Sequence, residues 1–479
     1  MKAKRGLRQG DPISPLLFVI VMEYLHRSLH QLIHVPDFNF HSKCEHLGII
    51  NLSFADDLLI FTRGDSKSVE LAMAKLSDFS KSTGLYVNPY KCKIYYGGVE
   101  EHVKEVIRHT TSFADGTLPF RYLGVPLTSK KLSTHHYMPL VDRIVDRIRH
   151  WSAKLLSHAG RLQLIRSVTF AVANYWMQCL PLPKKVLHKI NAICRSFLWS
   201  GGAIITRKSH VAWDHVCAPK AHGGLGLISL VEWNRANLAK LLWNINSKAD
   251  SLWIKWIHSY YIKNDSILTM PLRPSCSWIL KAIIHQREAL TQIQGWQQMK
   301  SKTITKKVYT FLRYDYPMVD WRVTMYGNIA RPRAILIFWL ACHGRLATKD
   351  RLGKFGVTVD VKCCFCPKDE TLDHLFFACP VLRTVWCKVL RWLQLDHSPK
   401  QWHDELRWIT QHSKGKGWKA QLLKSAAAEA VYTLWKYRND VCFGADVHNT
   451  NIEDDIINTI VYRGWMYPKL RGPIAHLLL

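Results

Sequence analysis

Asn51-Leu52-Ser53-Phe54-Ala55-Asp56-Asp57-Leu58-Leu59-Ile60-Phe61-Thr62 is the stretch whose reading decides the fold. Two short apolar runs, 51–55 and 58–62, flank an Asp-Asp pair, which predicts a β-hairpin with carboxylates at its tip. Such carboxylates are hard oxygen ligands suited to Mg²⁺, and a hairpin presents them without a bulky cage. Two such ions, about 4 Å apart, stabilise the attacking and leaving oxygens in phosphoryl transfer. Phe54 to Asp57 alone also fit an ordinary solvated turn, because Asp is a common turn former.

The block upstream shifts the balance: Arg5-Gly6-Leu7-Arg8-Gln9-Gly10-Asp11-Pro12-Ile13-Ser14-Pro15-Leu16-Leu17-Phe18. Gly10 permits unusual φ angles or close backbone approach. Pro12 and Pro15 forbid a regular helix through the segment. Leu16 to Leu25 then reads as a helix entering the core. Together the two blocks resemble adjacent palm motifs of the reverse transcriptases of non-LTR (LINE-type) retrotransposons, in their plant form. The resemblance implies RNA-directed DNA synthesis by nucleotidyl transfer to a primer 3′-OH. Asp56 and Asp57 would hold catalytic Mg²⁺, while Arg8, Gln9 and Gly10 would lie beside template or nucleotide. Phe54 stands where many reverse transcriptases have Tyr, and many non-LTR relatives share the Phe.

Further landmarks follow in order. Gly84-Leu85-Tyr86-Val87-Asn88 and Lys91 resemble the next palm motif, a helix-to-strand turn whose lysine is assigned to protonating the leaving pyrophosphate. General-acid catalysis supplies roughly 10²–10⁴-fold; Lys91 also fits a plain surface lysine. Phe120-Arg121-Tyr122-Leu123-Gly124-Val125-Pro126-Leu127 resembles the primer-grip strand that ends the palm.

In that family a first catalytic aspartate lies upstream of the Arg-Gln-Gly-Asp-Pro block, and only four residues precede Arg5 here. The expectation is a truncated palm, without fingers or that aspartate, inactive alone and less completely packed than the zinc module at Cys363–Cys379. Two alternatives stay open: a non-catalytic zinc-containing RNA/DNA-binding protein, or a fragment of a longer active reverse transcriptase.

The formal net charge of +30 points to a nucleic-acid partner, since each phosphate neutralised by Lys or Arg releases counterions. Residues 1–130 hold 16 Lys+Arg against 13 Asp+Glu, whereas 131–235 hold 15 against 4 and 236–479 hold 35 against 19. The density peaks where a polymerase thumb would clamp template and primer. At 479 residues with 48% hydrophobic content, the chain is folded and longer than one core allows. No run reaches the roughly 18 apolar residues that span a bilayer. Nor does a cleavage site follow the basic start. A nuclear or cytoplasmic location is expected, with no membrane partner.

Residues 137–200 read as helices. Val141, Ile144, Val145 and Ile148 follow a 3.6 period, Gly160 offers a break, and Leu162, Ile165 and Val168 begin another run. Pro181 and Pro183 end it, and Val186 to Trp199 makes a third helix. Trp151, Gly160-Arg161 and Phe197-Leu198-Trp199 resemble the helical thumb of the same family. That implies phosphate contacts for Arg143, Arg147, Lys154, Arg161 and Arg166, each of which also fits a solvated helix face. Pro219 to Leu227 contains Gly223-Gly224-Leu225-Gly226-Leu227, a tight turn before a helix in the family. It is not a phosphate loop, because no Lys-Ser/Thr follows at Walker spacing. Trp253, Trp256, Tyr260 and Tyr261 suit base stacking, but their helical spacing favours core packing.

Cys363-x₂-Cys366-x₇-His374-x₄-Cys379 is the second chemical constellation. Three thiolates and one imidazole close a tetrahedral Zn²⁺ shell, a structural metal with no open position. The alternative is a set of buried free thiols. His374 and Cys379 suit one short helix starting near Glu370, and Cys364 should point away. With thirteen cysteines, an odd count, free thiols and a metal site are expected rather than a disulfide framework. Phe338-Trp339-Leu340, Gly344-Arg345-Leu346, Thr348 and Arg351-Leu352 complete a resemblance to the zinc-binding domain of reverse transcriptases. It implies nucleic-acid contacts for Arg345, Lys349, Arg351 and Lys354. Leu422 to Trp435 reads as an Ala-rich helix, followed by Arg438-Asn439, for which no chemistry is legible.

The expected fold class is α+β, laid out as palm (1–130), basic helical thumb (131–235), helical connector (236–305), zinc-binding domain (306–395) and helical tail (396–479). The implied cofactors are structural Zn²⁺ and catalytic Mg²⁺, and the implied partners are an RNA template and a DNA primer or target.

Overall fold

The computed structural model describes residues 10–150, 156–206, 209–313, 315–358, 360–444 and 451–478. Helices dominate, and among the described residues β-structure is confined to three two-stranded sheets and one isolated bridge, Lys362 to Asp369. The α+β expectation thus holds in a coarser form, a mostly helical chain with small β-sheets. Two compact units form: Met1–His136 with Leu238–Ile304, and Tyr137–Asn237 with Thr305–Leu479.

In the first unit, helix α1 (Ser14–His30) starts with Pro15 in its first turn, where the missing N–H is harmless. It packs on α2 (Ser66–Thr83), whose N-cap Asp65 accepts from Ser68 N at 2.8 Å and which ends at left-handed Gly84. Leu25 and Leu29 from α1 meet Ala72, Leu76 and Phe79 from α2, with Leu32, Phe38 and Ile50 completing the core. Strands β1 (Asn51–Phe54) and β2 (Asp57–Ile60) form an antiparallel hairpin on this core. The start of α1 departs from expectation: Leu16, Val19 and Ile20 are each about two-thirds exposed, so only its second half enters the core.

Strands β3 (Lys93–Ile94) and β4 (Ala114–Asp115) pair in parallel across α3 (Glu101–Thr111). The segment Phe120–Leu127, expected as one strand, is instead a hairpin of β5 (Phe120–Tyr122) and β6 (Val125–Leu127). Leu123 and Gly124 take φ of 49° and 81°, which turns the chain back between them. The aromatics of 253–261 also differ from the core reading. Ile254 and Ile257 fill the core, Trp253 is exposed, and Trp256 donates to Lys43 O at 2.6 Å. The Lys43 ammonium lies 5.4 Å from the Tyr260 ring.

In the second unit, α4 (Met138–His150) buries Leu140, Val141, Ile144 and Ile148. Helix α5 (His158–Leu164) runs through a π-turn (Ile165–Thr169) into α6 (Phe170–Cys179). Gly160 is therefore no break; it sits in the first turn, its N–H bonded to the Ser157 cap. Helix α7 (Lys184–Ser200) follows. The Gly223–Leu227 segment is a tight turn, and a Cβ at Gly224 would lie 1.9 Å from Ala218 O. The Gly223 carbonyl accepts from Trp339 Nε1 at 2.7 Å, on the helix Pro332–Cys342, and from His343 Nε2 at 2.8 Å, the residue that caps that helix.

The Ala-rich segment read as a tail helix spans Trp418–Cys442 and lies at the centre of this unit. Ala426, Ala427, Ala428, Ala430, Val431 and Leu434 are fully buried. Small residues let neighbouring helices approach closely, and Pro332–Cys342 and Ile452–Trp465 both pack on it. Its buried Glu429 accepts from Arg331 N at 2.6 Å and Arg331 Nε at 2.8 Å. No helix among the described residues is long and apolar enough to cross a membrane.

Candidate functional site

The hairpin turn places Asp56 and Asp57 in solvent. Phe54 pairs with Asp57, leaving a two-residue loop of Ala55 and Asp56. Ala55 takes φ of 51°, a left-handed conformation uncommon without glycine. At the base of the hairpin, buried Asn51 accepts from His26 Nδ1 of α1 at 3.0 Å. Phe61 N donates to Ile50 O at 2.8 Å. The tip is thus exposed while its root is anchored. The β5–β6 hairpin lies near it: burial first, then the Asp57 charge, raises the Tyr122 phenol. Lys91 stands exposed at the end of a 3₁₀ turn, Pro89–Lys91, and no hydrogen bond or ion pair joins it to either carboxylate among the described residues.

Gly10 adopts φ of 90°, open to solvent just before α1. Asp11 then caps the approach, its Oδ1 accepting from Ile13 N at 3.1 Å. Arg8 and Gln9, like Trp151 and Lys154, lie outside the described residues.

The expected phosphate-contact residues divide by exposure. Arg143 and Arg147 project from the outer face of α4, beside Asp142 and Asp146, and Arg345 is exposed. Arg161 is instead 9% exposed and donates to Leu198 O, so its guanidinium serves the interior of the unit. Arg166 Nη2 donates to Leu225 O at 2.9 Å, holding the glycine turn. Arg351 donates to Gly344 O at 2.7 Å, and Lys349 Nζ to Lys362 O at 2.6 Å. Lys354 reaches Asp350 at 3.6 Å.

Cys363, Cys366, His374 and Cys379 converge, with one ligand atom from each within 4.8 Å of the others. Local structure explains the convergence. Cys363 N donates to Lys368 O at 2.8 Å, closing the knuckle turn that carries both first cysteines. Thr371 caps a four-residue helix, Leu372–Leu375, that carries His374. Cys379 does not share that helix as expected. It is the N-cap residue of Pro380–Trp392, and Cys379 N donates back to His374 O at 2.7 Å.

Cys366 Sγ lies 3.0 Å from His374 Nε2 and 4.0 Å from Cys379 Sγ. In a tetrahedral shell of about 2.3 Å Zn–S bonds, sulfurs stand about 3.8 Å apart, so the set fits Zn²⁺. Burial pushes the Cys363 thiol up to about 12 and raises Cys379, on which the N–H groups of Val381 and Leu382 act in the opposite sense. Burial lowers His374, which favours the neutral imidazole a metal requires. The cluster is consistent with a structural zinc site.

Cys364 points away from the cluster, as expected. It pairs with Cys442 in a disulfide, a correction to the free-thiol reading, while the other eleven cysteines are free.

Two family models match the chain. One, reverse transcriptase (RNA-dependent DNA polymerase), covers residues 1–127 and so includes the Asp56–Asp57 hairpin. The other, zinc-binding in reverse transcriptase, covers 304–386 and all four converging ligands. A Pol polyprotein from the type-1 retrotransposable element R2 of Nasonia vitripennis is 33% identical over 85% of this chain and 38% of its own length.

The chain is a reverse-transcriptase-like protein of the non-LTR, R2 type with a zinc-binding domain.

An Arabidopsis thaliana protein whose name refers to ribonuclease H is 30% identical over 36% of this chain and 28% of its own length. An uncharacterised mitochondrial protein of the same plant is 33% identical over 26% of this chain and 80% of its own length. This reverse-transcriptase-like chain thus spans little more than a quarter of the first of these relatives and about two-fifths of the R2 polyprotein.

Sequence reasoning missed Glu370 and Arg438 as site residues. Glu370 is fully buried between Cys366 and His374, and Arg438 Nε donates to its Oε2 at 3.0 Å. The available signal was Arg438-Asn439 after the Ala-rich helix, a pair without an evident task.

Proposed function

We propose that the chain is part of a plant-type non-LTR RNA-directed DNA polymerase, with a palm at 1–130, a basic thumb after it and a zinc-binding domain at 306–395. One observation carries this reading: Asp56 and Asp57 stand exposed at a rigidly rooted hairpin tip within a segment matching reverse transcriptases. These two carboxylates would hold Mg²⁺, which supplies charge stabilisation to the attacking and leaving oxygens. Lys91 would donate a proton to the leaving pyrophosphate, and Arg8, Gln9 and Gly10 would meet template or nucleotide. Arg143, Arg147 and Arg345 would contact the phosphate backbone of an RNA template and DNA primer, in the nucleus or cytoplasm. Cys363, Cys366, His374 and Cys379 would hold Zn²⁺, which supplies folding energy to the loop. The Arabidopsis relatives support the plant placement.

These 479 residues alone would not extend a primer. Among the described residues, no third carboxylate, thiol or imidazole converges with Asp56 and Asp57. Loss of one metal ligand forfeits much of the electrostatic catalysis. Exposed Arg143 and Arg147 on α4 favour a second reading, salt-dependent RNA or DNA binding without catalysis. Primer extension on an RNA template with Mg²⁺ or Mn²⁺, beside filter binding at about 50 mM salt, tests both. Binding without incorporation, unaffected by Asp56→Ala, is expected. Robust incorporation abolished by Asp56→Ala would instead establish a working polymerase site.

A further inference from the structure

We infer that Arg438 is a positioning residue for the zinc loop, and that the helix Trp418–Cys442 belongs to the same metal-dependent unit as Cys363–Cys379. This rests on the zinc reading proposed above and extends it beyond the matched residues 304–386.

The contacts form an ordered series. Trp435, Arg438 and Cys442 are spaced three and four apart, so they share one helix face. They meet the loop in reverse chain order. Trp435 lies 6.4 Å from Phe376, Arg438 pairs with Glu370, and Cys442 bridges to Cys364 with Cα atoms 6.6 Å apart. Tyr437 stacks on Phe365 at 5.2 Å with planes 13° apart. Each partner sits close in sequence to a ligand: Cys364 follows Cys363, Phe365 precedes Cys366, Glu370 lies midway to His374, and Phe376 follows shortly after.

Glu370 is the centre of the series. Its side chain is fully buried, and Oε1 accepts from Lys349 N at 2.9 Å. Arg438, only 4% exposed, supplies the compensating charge, and its guanidinium lies 5.0 Å from the Trp435 ring. A buried carboxylate left without its partner is strongly destabilised where it stands, which favours a shift toward water. That movement would carry the segment between Cys366 and His374 with it and spoil the ligand geometry. Outer groups that orient metal ligands typically contribute 10–100-fold in metal affinity.

The test uses the full chain under a phosphine reductant, so that Arg438 rather than the Cys364–Cys442 bridge holds the helix. Zinc affinity is measured by competition with 4-(2-pyridylazo)resorcinol for wild type, Arg438→Met, Arg438→Lys and the double variant Glu370→Gln/Arg438→Met. Co²⁺ absorption reports thiolate ligation in each. We expect Arg438→Met to weaken zinc about 10–100-fold, Lys to restore part of the loss, and the double variant to recover most of it with an unchanged Co²⁺ spectrum. Should Arg438→Met fail to fold, a folded, zinc-binding double variant supports the inference. Wild-type affinity in Arg438→Met overturns it, as does a double variant no better than the single one. Wild-type chain that takes up no zinc overturns both this inference and the zinc reading, whereas normal zinc uptake insensitive to Arg438 overturns this inference alone.

Discussion

Arg438 and Glu370, separated by 68 residues, form a buried ion pair whose side chains are 4% and 0% exposed. Breaking such a pair from one side typically costs about 3–5 kcal/mol, because one charge stays buried and uncompensated. Glu370→Gln is therefore expected to lower the unfolding free energy of the zinc-loaded chain by about that amount. Adding Arg438→Met should return part of the loss. Urea denaturation of the two single variants and the double variant closes the cycle. Additive losses would mean that the two residues act independently.

Metal removal should be felt locally. The loop 363–379 has one four-residue helix and a single isolated bridge, Lys362 to Asp369, among the described residues, so its own backbone pairing is sparse and the ligands add to the contacts with Trp418–Cys442 in ordering it. With a strong chelator, amide hydrogen exchange should rise across this loop and at the start of Pro380–Trp392. The α1–α2 core, centred on Leu29 and Phe79, should not change.

The arginines should separate by role. Arg143 and Arg147 are exposed on α4, so alanine at either should reduce the salt slope of RNA binding by about 1 and leave stability within about 0.5 kcal/mol. Arg161 is buried against Leu198 O, so Arg161→Ala should cost about 1–3 kcal/mol of stability. Filter binding at several salt concentrations, beside thermal melts, distinguishes the two patterns.

Acid sensitivity should have a named contributor. Burial, followed by the charges of Arg161, His210 and Arg333, lowers His158 from 6.5 to about 4. The folded state thus binds fewer protons than the unfolded chain between these values. Its contribution is fully present above pH 6.5 and is lost as pH falls toward 4. Partial exposure of the ring reduces the effect, so His158→Gln should flatten the acid limb by about 1–2 kcal/mol. Denaturation midpoints at pH 7 and pH 5 check this, with zinc content monitored because His374 also titrates on acidification.

The features that could be read in advance were those written in short spacings. The Asp56–Asp57 hairpin is encoded by two apolar runs around a turn pair, and the metal cluster by Cys-x₂-Cys and His-x₄-Cys. Each is closed by contacts within about 16 residues, as from Cys363 to Cys379. The Glu370–Arg438 pair was hidden because charged side chains normally read as surface, and only tertiary packing brings these two together. Phe120–Leu127 read as one strand because Leu123 is an unusual occupant of a left-handed turn position. The period at 253–261 was helical as read, but Ile254 and Ile257 on that segment took the buried face from the aromatics. The Ala-rich helix looked peripheral from its place in the chain, whereas its small side chains suit the crowded centre of the second unit.

Zinc-edge X-ray absorption on the purified full chain tests the Cys363–Cys366–His374–Cys379 centre most directly. One zinc per chain is predicted, with three sulfurs at about 2.3 Å and one nitrogen at about 2.1 Å. A shell of nitrogen and oxygen alone, or a chain that stays folded with no zinc bound, would contradict it.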